Sequence, residues 1–151
     1  MKKLVLSLFL VLAPLAKADI VISDAWVRPT AEGQSVTGAY LKITSDKPVK
    51  LIGASTKSAT SVEVHEMTMD GDIMRMRQLP ELSIPANTTV DLKPGGLHLM
   101  LMGVSKNIEV GSMVSMNLNF LLQDGKKKTL TIQVKAKNPN TDANIESHNK
   151  H

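Results

Sequence analysis

Leu97-His98-Leu99-Met100-Leu101-Met102 alternates without a break between leucine and a histidine or methionine. Successive side chains of a β-strand point to opposite faces, so a strict period of two reads as a strand. The leucines turn one face toward a core, and His98, Met100 and Met102 share the other. Similar short runs stand on either side, at residues 20–22, 25–27, 38–43, 61–67, 73–79, 88–92, 113–122 and 129–135. Pro29, Gly33, Asp46-Lys47-Pro48 and Gly53 punctuate them. No segment shows a convincing 3.6-residue apolar period. An all-β sandwich or small barrel is the expected architecture.

Two hairpins can be registered from side-chain parity. Asp70-Gly71 is a two-residue turn signal, since both central positions of a type I′ turn need positive φ. That turn sets Met67 opposite Met74, Glu66 opposite Arg75, His65 opposite Met76 and Val62 opposite Leu79. A four-residue loop would keep the same faces and shift the partners. In the later hairpin a three-residue loop, Asp124-Gly125-Lys126, sets Phe120 opposite Leu130 and Leu118 opposite Ile132.

The ends of the chain read differently. Met1-Lys2-Lys3 is followed by an almost wholly apolar run over 4–15 and then by Ala16-Lys17-Ala18, the pattern of a secretory signal peptide cut after Ala18. The expected organisation is a signal peptide over 1–18, a β domain over 19–137 and a polar, flexible tail over 138–151. No stable membrane insertion is expected once the signal is removed. The whole chain carries +4, but Lys2, Lys3 and Lys17 leave with the signal, so 15 basic against 14 acidic side chains remain. Nucleic-acid binding thereby loses its main support.

With 0 cysteines the exported domain has neither a disulfide staple nor a thiolate ligand. Methionine is abundant instead, and six of the 9 fall between residues 67 and 102. Taken singly, a methionine is usually core filling, and Met74, Met102, Met113 and Met116 are assigned to packing. His65, Met76, His98 and Met100 differ, because all four lie on strand faces opposite apolar partners. One ligand pair then spans a hairpin and the other runs along a strand. Thioether sulfur is soft and neutral and imidazole is borderline, so two of each suit Cu(I). Zinc prefers Cys, His and carboxylate, calcium and magnesium need oxygen, and a blue-copper centre needs a cysteine. Only the histidines compete with protons, so affinity is expected to weaken as pH falls through the imidazole range, about 6.5 when unperturbed.

The spacing His65-x10-Met76-x21-His98-x-Met100 resembles, without gap or substitution, the copper motif of the periplasmic copper chaperone family PCu(A)C. Asp24-Ala25-Trp26-Val27-Arg28, Thr37-Gly38-Ala39-Tyr40, Met74-Arg75-Met76-Arg77 and the stretch from Leu92-Lys93-Pro94-Gly95-Gly96 into the alternating strand agree with that family too. The resemblance covers about residues 20–136. It implies a cupredoxin-like Greek-key β-barrel holding Cu(I) near the surface on His65, Met76, His98 and Met100. It also implies delivery of copper to cytochrome c oxidase, at the CuA centre of subunit II, or to another periplasmic acceptor. A monomer is expected. His148 and His151 could add a Cu(II) site in the tail, although a solvated end is the simpler reading. The competing classes are a periplasmic copper buffering or resistance protein and a β interaction domain whose methionines only pack. An enzyme is not expected, since no nucleophile–base arrangement is visible and protein ligands would saturate the metal.

Overall fold

The computed structural model describes residues 17–139. Residues 1–16 of the expected signal peptide and the tail histidines His148 and His151 lie outside the described residues. Ten strands follow in order: β1 Ile20–Val27, β2 Val36–Ser45, β3 Val49–Thr56, β4 Ala59–Asp70, β5 Ile73–Leu79, β6 Leu82–Ile84, β7 Thr89–Leu92, β8 Leu97–Val104, β9 Met113–Leu122 and β10 Lys127–Ala136. Among the described residues there is no helix, and hence none long and apolar enough to cross a membrane.

The strands form a β-barrel. Neighbours run β4-β8-β2-β1-β10-β9-β3, and the Ala54↔Val62 pairing of β3 with β4 closes the ring. All its ladders are antiparallel except β1 with β10, where Trp26 pairs with Lys135 and Val27 with Ala136. Closure leaves no open edge around the ring, which is how small β proteins avoid edge-to-edge association. Two edges are shared. β2 gives residues 36–39 to β8 and 41–44 to β7. β4 closes onto β3 near its start and pairs β5 from Val64 onward.

The core follows the period-two pattern. Val62 and Val64 of β4, Leu99 and Leu101 of β8, Ala39 and Leu41 of β2, and Leu118 and Phe120 of β9 all point inward and are buried. Met116 is fully buried among them, as expected of packing. Met113 and Met74, also expected to pack, are instead exposed. Both lie on outward positions, and neither has a facing layer to fill.

Residues 20–22 and 25–27 belong to one strand, β1, interrupted by an irregularity between Ser23 and Trp26. Asp24 sits there at φ 51°, a left-handed conformation that aspartate tolerates better than most residues. Its carboxylate accepts a hydrogen bond from Lys42 Nζ at 2.8 Å, and that ammonium holds the Asp24 carboxyl below its usual range. β3 and β6 were not anticipated. Gly53, read above as punctuation, lies inside β3, where the ladder to β9 slips between Leu51 and Gly53. A glycine within a strand often marks such a bulge.

Both hairpin registers differ from expectation by two residues. In the first, Asp70 pairs with Ile73, so the loop residues are Gly71 and Asp72. Gly71 has φ 63° and Asp72 has no positive φ, the requirement of a type II′ turn rather than type I′. His65 therefore faces Gln78, Met67 faces Met76, and Glu66 faces Arg77. In the second, Leu118 faces Leu130 and the loop is 123–125. Gly125, at φ 80°, takes the third loop position, where a three-residue hairpin needs a left-handed residue. A slip of two preserves every face, so the inward and outward sets survive.

Candidate metal centre

The outward face of β4 and β8 carries the site. His65 of β4 pairs directly with His98 of β8, their ring centroids 5.8 Å apart. Met100 follows His98 by two residues on the same face and stands opposite Glu63. Met76, expected directly opposite His65, is its diagonal neighbour across the β4–β5 ladder, two residues from Gln78 on the same face. Diagonal Cβ atoms lie about 7–8 Å apart, within reach of a long side chain. Met100 and Met76 thus flank His65 on opposite diagonals, one from each neighbouring strand. All four candidate ligands share one face. The direct pairing of the two histidines, from strands far apart in sequence, was not anticipated.

Both imidazoles are held by hydrogen bonds that fix their tautomers. His98 Nδ1 donates to the Gly96 carbonyl at 2.9 Å, leaving the Nε2 lone pair free. That same carbonyl accepts the Met67 amide at 3.2 Å, which ties the start of β8 to β4. His65 Nε2 donates to the Glu63 carboxylate at 2.7 Å. Its Nδ1 then keeps a lone pair, and that nitrogen is the one buried side-chain polar atom among the described residues without a hydrogen-bond partner. A buried acceptor without a partner is costly unless something else takes the lone pair. Metal-bound histidines commonly give their other nitrogen to a carboxylate or carbonyl, which is the arrangement seen at both rings.

Glu63 and Tyr40 belong to this surroundings, and neither was singled out from sequence. Glu63 lies two residues before His65, where a carboxylate reads as an ordinary surface charge. Tyr40 sits beside His98, with ring centroids 6.4 Å apart, and Trp26 packs against Tyr40 at 4.5 Å. Tyr40 leans over Gly38, where an added Cβ would come within 2.6 Å of its hydroxyl. The glycine in Thr37-Gly38-Ala39-Tyr40 therefore makes room for the ring beside His98. As a result His98 is 4% exposed, whereas Met76, on the outermost strand, is 48% exposed.

Among the described residues no three His, Cys, Asp or Glu side chains are grouped to hold a metal ion. The thioethers of Met76 and Met100 accompany the two imidazoles on this face. Such a neutral set favours a soft monovalent ion.

Comparison with known proteins points the same way. Residues 20–134 match the family model described as putative lipoprotein LpqE-like. A putative lipoprotein of Leifsonia xyli subsp. xyli is 32% identical over 124 residues, covering 81% of this chain and 74% of that protein. Among solved structures, the copper(I)-loaded DR1885 of Deinococcus radiodurans is 34% identical with a TM-score of 0.61, covering 80% of this chain and 78% of that one. A copper-bound PCuAC domain from PmoF2 is 27% identical with a TM-score of 0.60, covering 78% and 93%. The barrel is thus of the cupredoxin-like kind found in PCuAC domains.

Proposed function

The chain belongs to the LpqE-like, PCuAC-related family, and on that premise we propose that it is a copper chaperone of the periplasm carrying Cu(I) on His65, Met76, His98 and Met100. The observation that carries the reading is the facing histidine pair, each ring pinned through one nitrogen and left with a lone pair on the other. Methionines on the two diagonals supply soft donors without charge or proton. The solved relatives described as copper-bound and copper(I)-loaded support the choice of ion. Methionine, unlike paired cysteine, cannot be lost to a disulfide in an oxidising compartment.

The cargo is delivered to respiratory cytochrome c oxidase, at the CuA centre of subunit II, by ligand exchange. The exposed Met76 gives way first to an acceptor's donors, and the buried His98 last. The protein acts as a monomer released by cleavage after Ala18, and it performs no catalysis of its own. Intact mass of the exported protein checks that cleavage point.

Anaerobic titration against a competing Cu(I) chelator tests the site. Met76→Ala and His98→Ala are each expected to abolish tight binding, and unchanged affinity in either would overturn the assignment. Transfer from the loaded protein to oxidase subunit II, read by the spectrum of the acceptor, tests the client. A deletion strain that loses oxidase activity at low copper supports delivery. Sensitivity only at high copper would instead indicate buffering.

A further inference from the structure

Beyond the four-residue site, the same outward face continues along the β4–β5 hairpin as a ladder of methionines. Met67 pairs with Met76, and one step further out Met69 pairs with Met74, next to the Gly71-Asp72 turn. Past Met67, whose amide reaches Gly96 just before β8, β4 pairs only with β5, so this outer part stands clear of the barrel wall. Met69 is 64% exposed and Met74 56% exposed. Core filling, the usual reason for a methionine, does not account for either. Nor does strand propensity, since exposed hairpin pairs are better served by β-branched or aromatic residues.

We propose that Met69, Met74 and Met67 form a second Cu(I) site, weaker than the first and placed to feed it. Directly opposed residues have Cβ atoms about 4.5–5.5 Å apart, so the flexible thioethers of Met69 and Met74 can meet on one ion. Met67 lies two residues along the same face, about 6.5–7 Å away at its Cα, and supplies a third sulfur. An all-thioether set is neutral and soft, and it takes a soft monovalent cation in preference to zinc, calcium or magnesium. The neighbouring cations do not oppose this. Arg75 and Arg77 occupy the other face of β5, and each is held by a carboxylate, Arg75 by Asp70 at 3.0 Å and Arg77 by Glu66 at 2.7 Å.

The geometry also gives a route. Met67 shares its cross-strand pair with Met76, so the ion can pass to Met76 and then to His65 by exchanging one sulfur at a time. No electron or proton moves in these steps. Copper–sulfur bonds form and break, and the ion remains Cu(I). The second site does not depend on the identity of the first, and the two can fail separately.

The test is an anaerobic Cu(I) titration of the exported protein carrying 13C-methyl methionine, followed by NMR. The first equivalent is expected to shift the Met76 and Met100 methyls, and the second those of Met69, Met74 and Met67. The double variant Met69→Leu, Met74→Leu keeps apolar side chains on the hairpin; it should lose the second equivalent, retain the first and load more slowly. In His98→Ala, Met69 and Met74 should still respond. Unmoved Met69 and Met74 methyls in the natural protein, or a second equivalent retained by the double variant, would overturn the proposal. A first equivalent that shifts Met69 and Met74 but leaves Met100 unmoved would overturn both the four-residue site and the ranking of the hairpin site as the weaker one.

Discussion

Glu63 and His65 occupy successive outward positions on β4, and their hydrogen bond decides which nitrogen His65 offers. With Nε2 engaged, the free lone pair sits on buried Nδ1, and losing the carboxylate would release the ring to turn. Glu63→Ala is therefore expected to weaken Cu(I) binding ten- to a hundred-fold, on the order found for such supporting partners. Glu63→Gln should cost less, since an amide oxygen can accept the same proton. Competition with a Cu(I) chelator measures both, and full affinity in the alanine variant would remove Glu63 from this role. The shared face of the four candidate residues could be read from sequence, because alternation in 97–102 fixes the face of His98 and Met100 without knowledge of any partner. The contact of Glu63 with the His65 ring could not. A carboxylate two positions from a histidine is common on exposed strands, and only the ring orientation reveals their hydrogen bond.

At the level of strands and turns, one kind of feature governs both registers. Gly71 must occupy the first loop position of its turn and Gly125 the third of its own, because each adopts positive φ. The sequence shows a glycine near each turn but not which slot it fills, and a shift of slot moves every cross-strand partner by two. Parity survives that ambiguity, and this is why faces were legible and pairings were not. Gly71→Ala places a Cβ on a left-handed residue and is expected to destabilise the hairpin by about 1–2 kcal/mol. Open space around Gly71 means that backbone strain, not a clash, is responsible. Hydrogen exchange at the Arg75 and Arg77 amides, which face β4 in the alternation of an antiparallel ladder, should quicken, while Leu99 and Leu101 keep their protection. Unaltered exchange at Arg75 would show that the turn tolerates the change.

For the molecule as a whole, the barrel separates stability from copper chemistry. The inward layer, with Phe120, Leu118 and Met116 fully buried, holds the fold together, whereas the candidate ligands all lie outside it. Phe120→Ala should lower stability by about 3–5 kcal/mol, a large share of the roughly 5–15 kcal/mol available to a domain. Urea unfolding measures that loss, and the Cu(I) affinity of the folded fraction is expected to stay unchanged. A parallel loss of affinity would show that core and site are coupled. The all-β class was evident from period-two runs, but β3 and β6 were not. One contains Gly53 at a bulge, and the other spans only Leu82–Ile84. The His65–His98 pairing depends on the β4–β8 ladder, which joins segments distant in sequence and is not encoded by local patterning.

The stacking of Trp26 on Tyr40, with Tyr40 next to His98, has an optical consequence. The chain contains 1 tryptophan and 1 tyrosine, and both stand in the row of side chains that ends at the histidine pair. Indole emission from this protein therefore comes wholly from one residue, two rings away from a candidate ligand. An event that turns His98 or shifts Tyr40 acts on the only fluorophore of its kind in the chain. Intrinsic fluorescence thus serves as an unlabelled gauge of the site, free of background from any other indole.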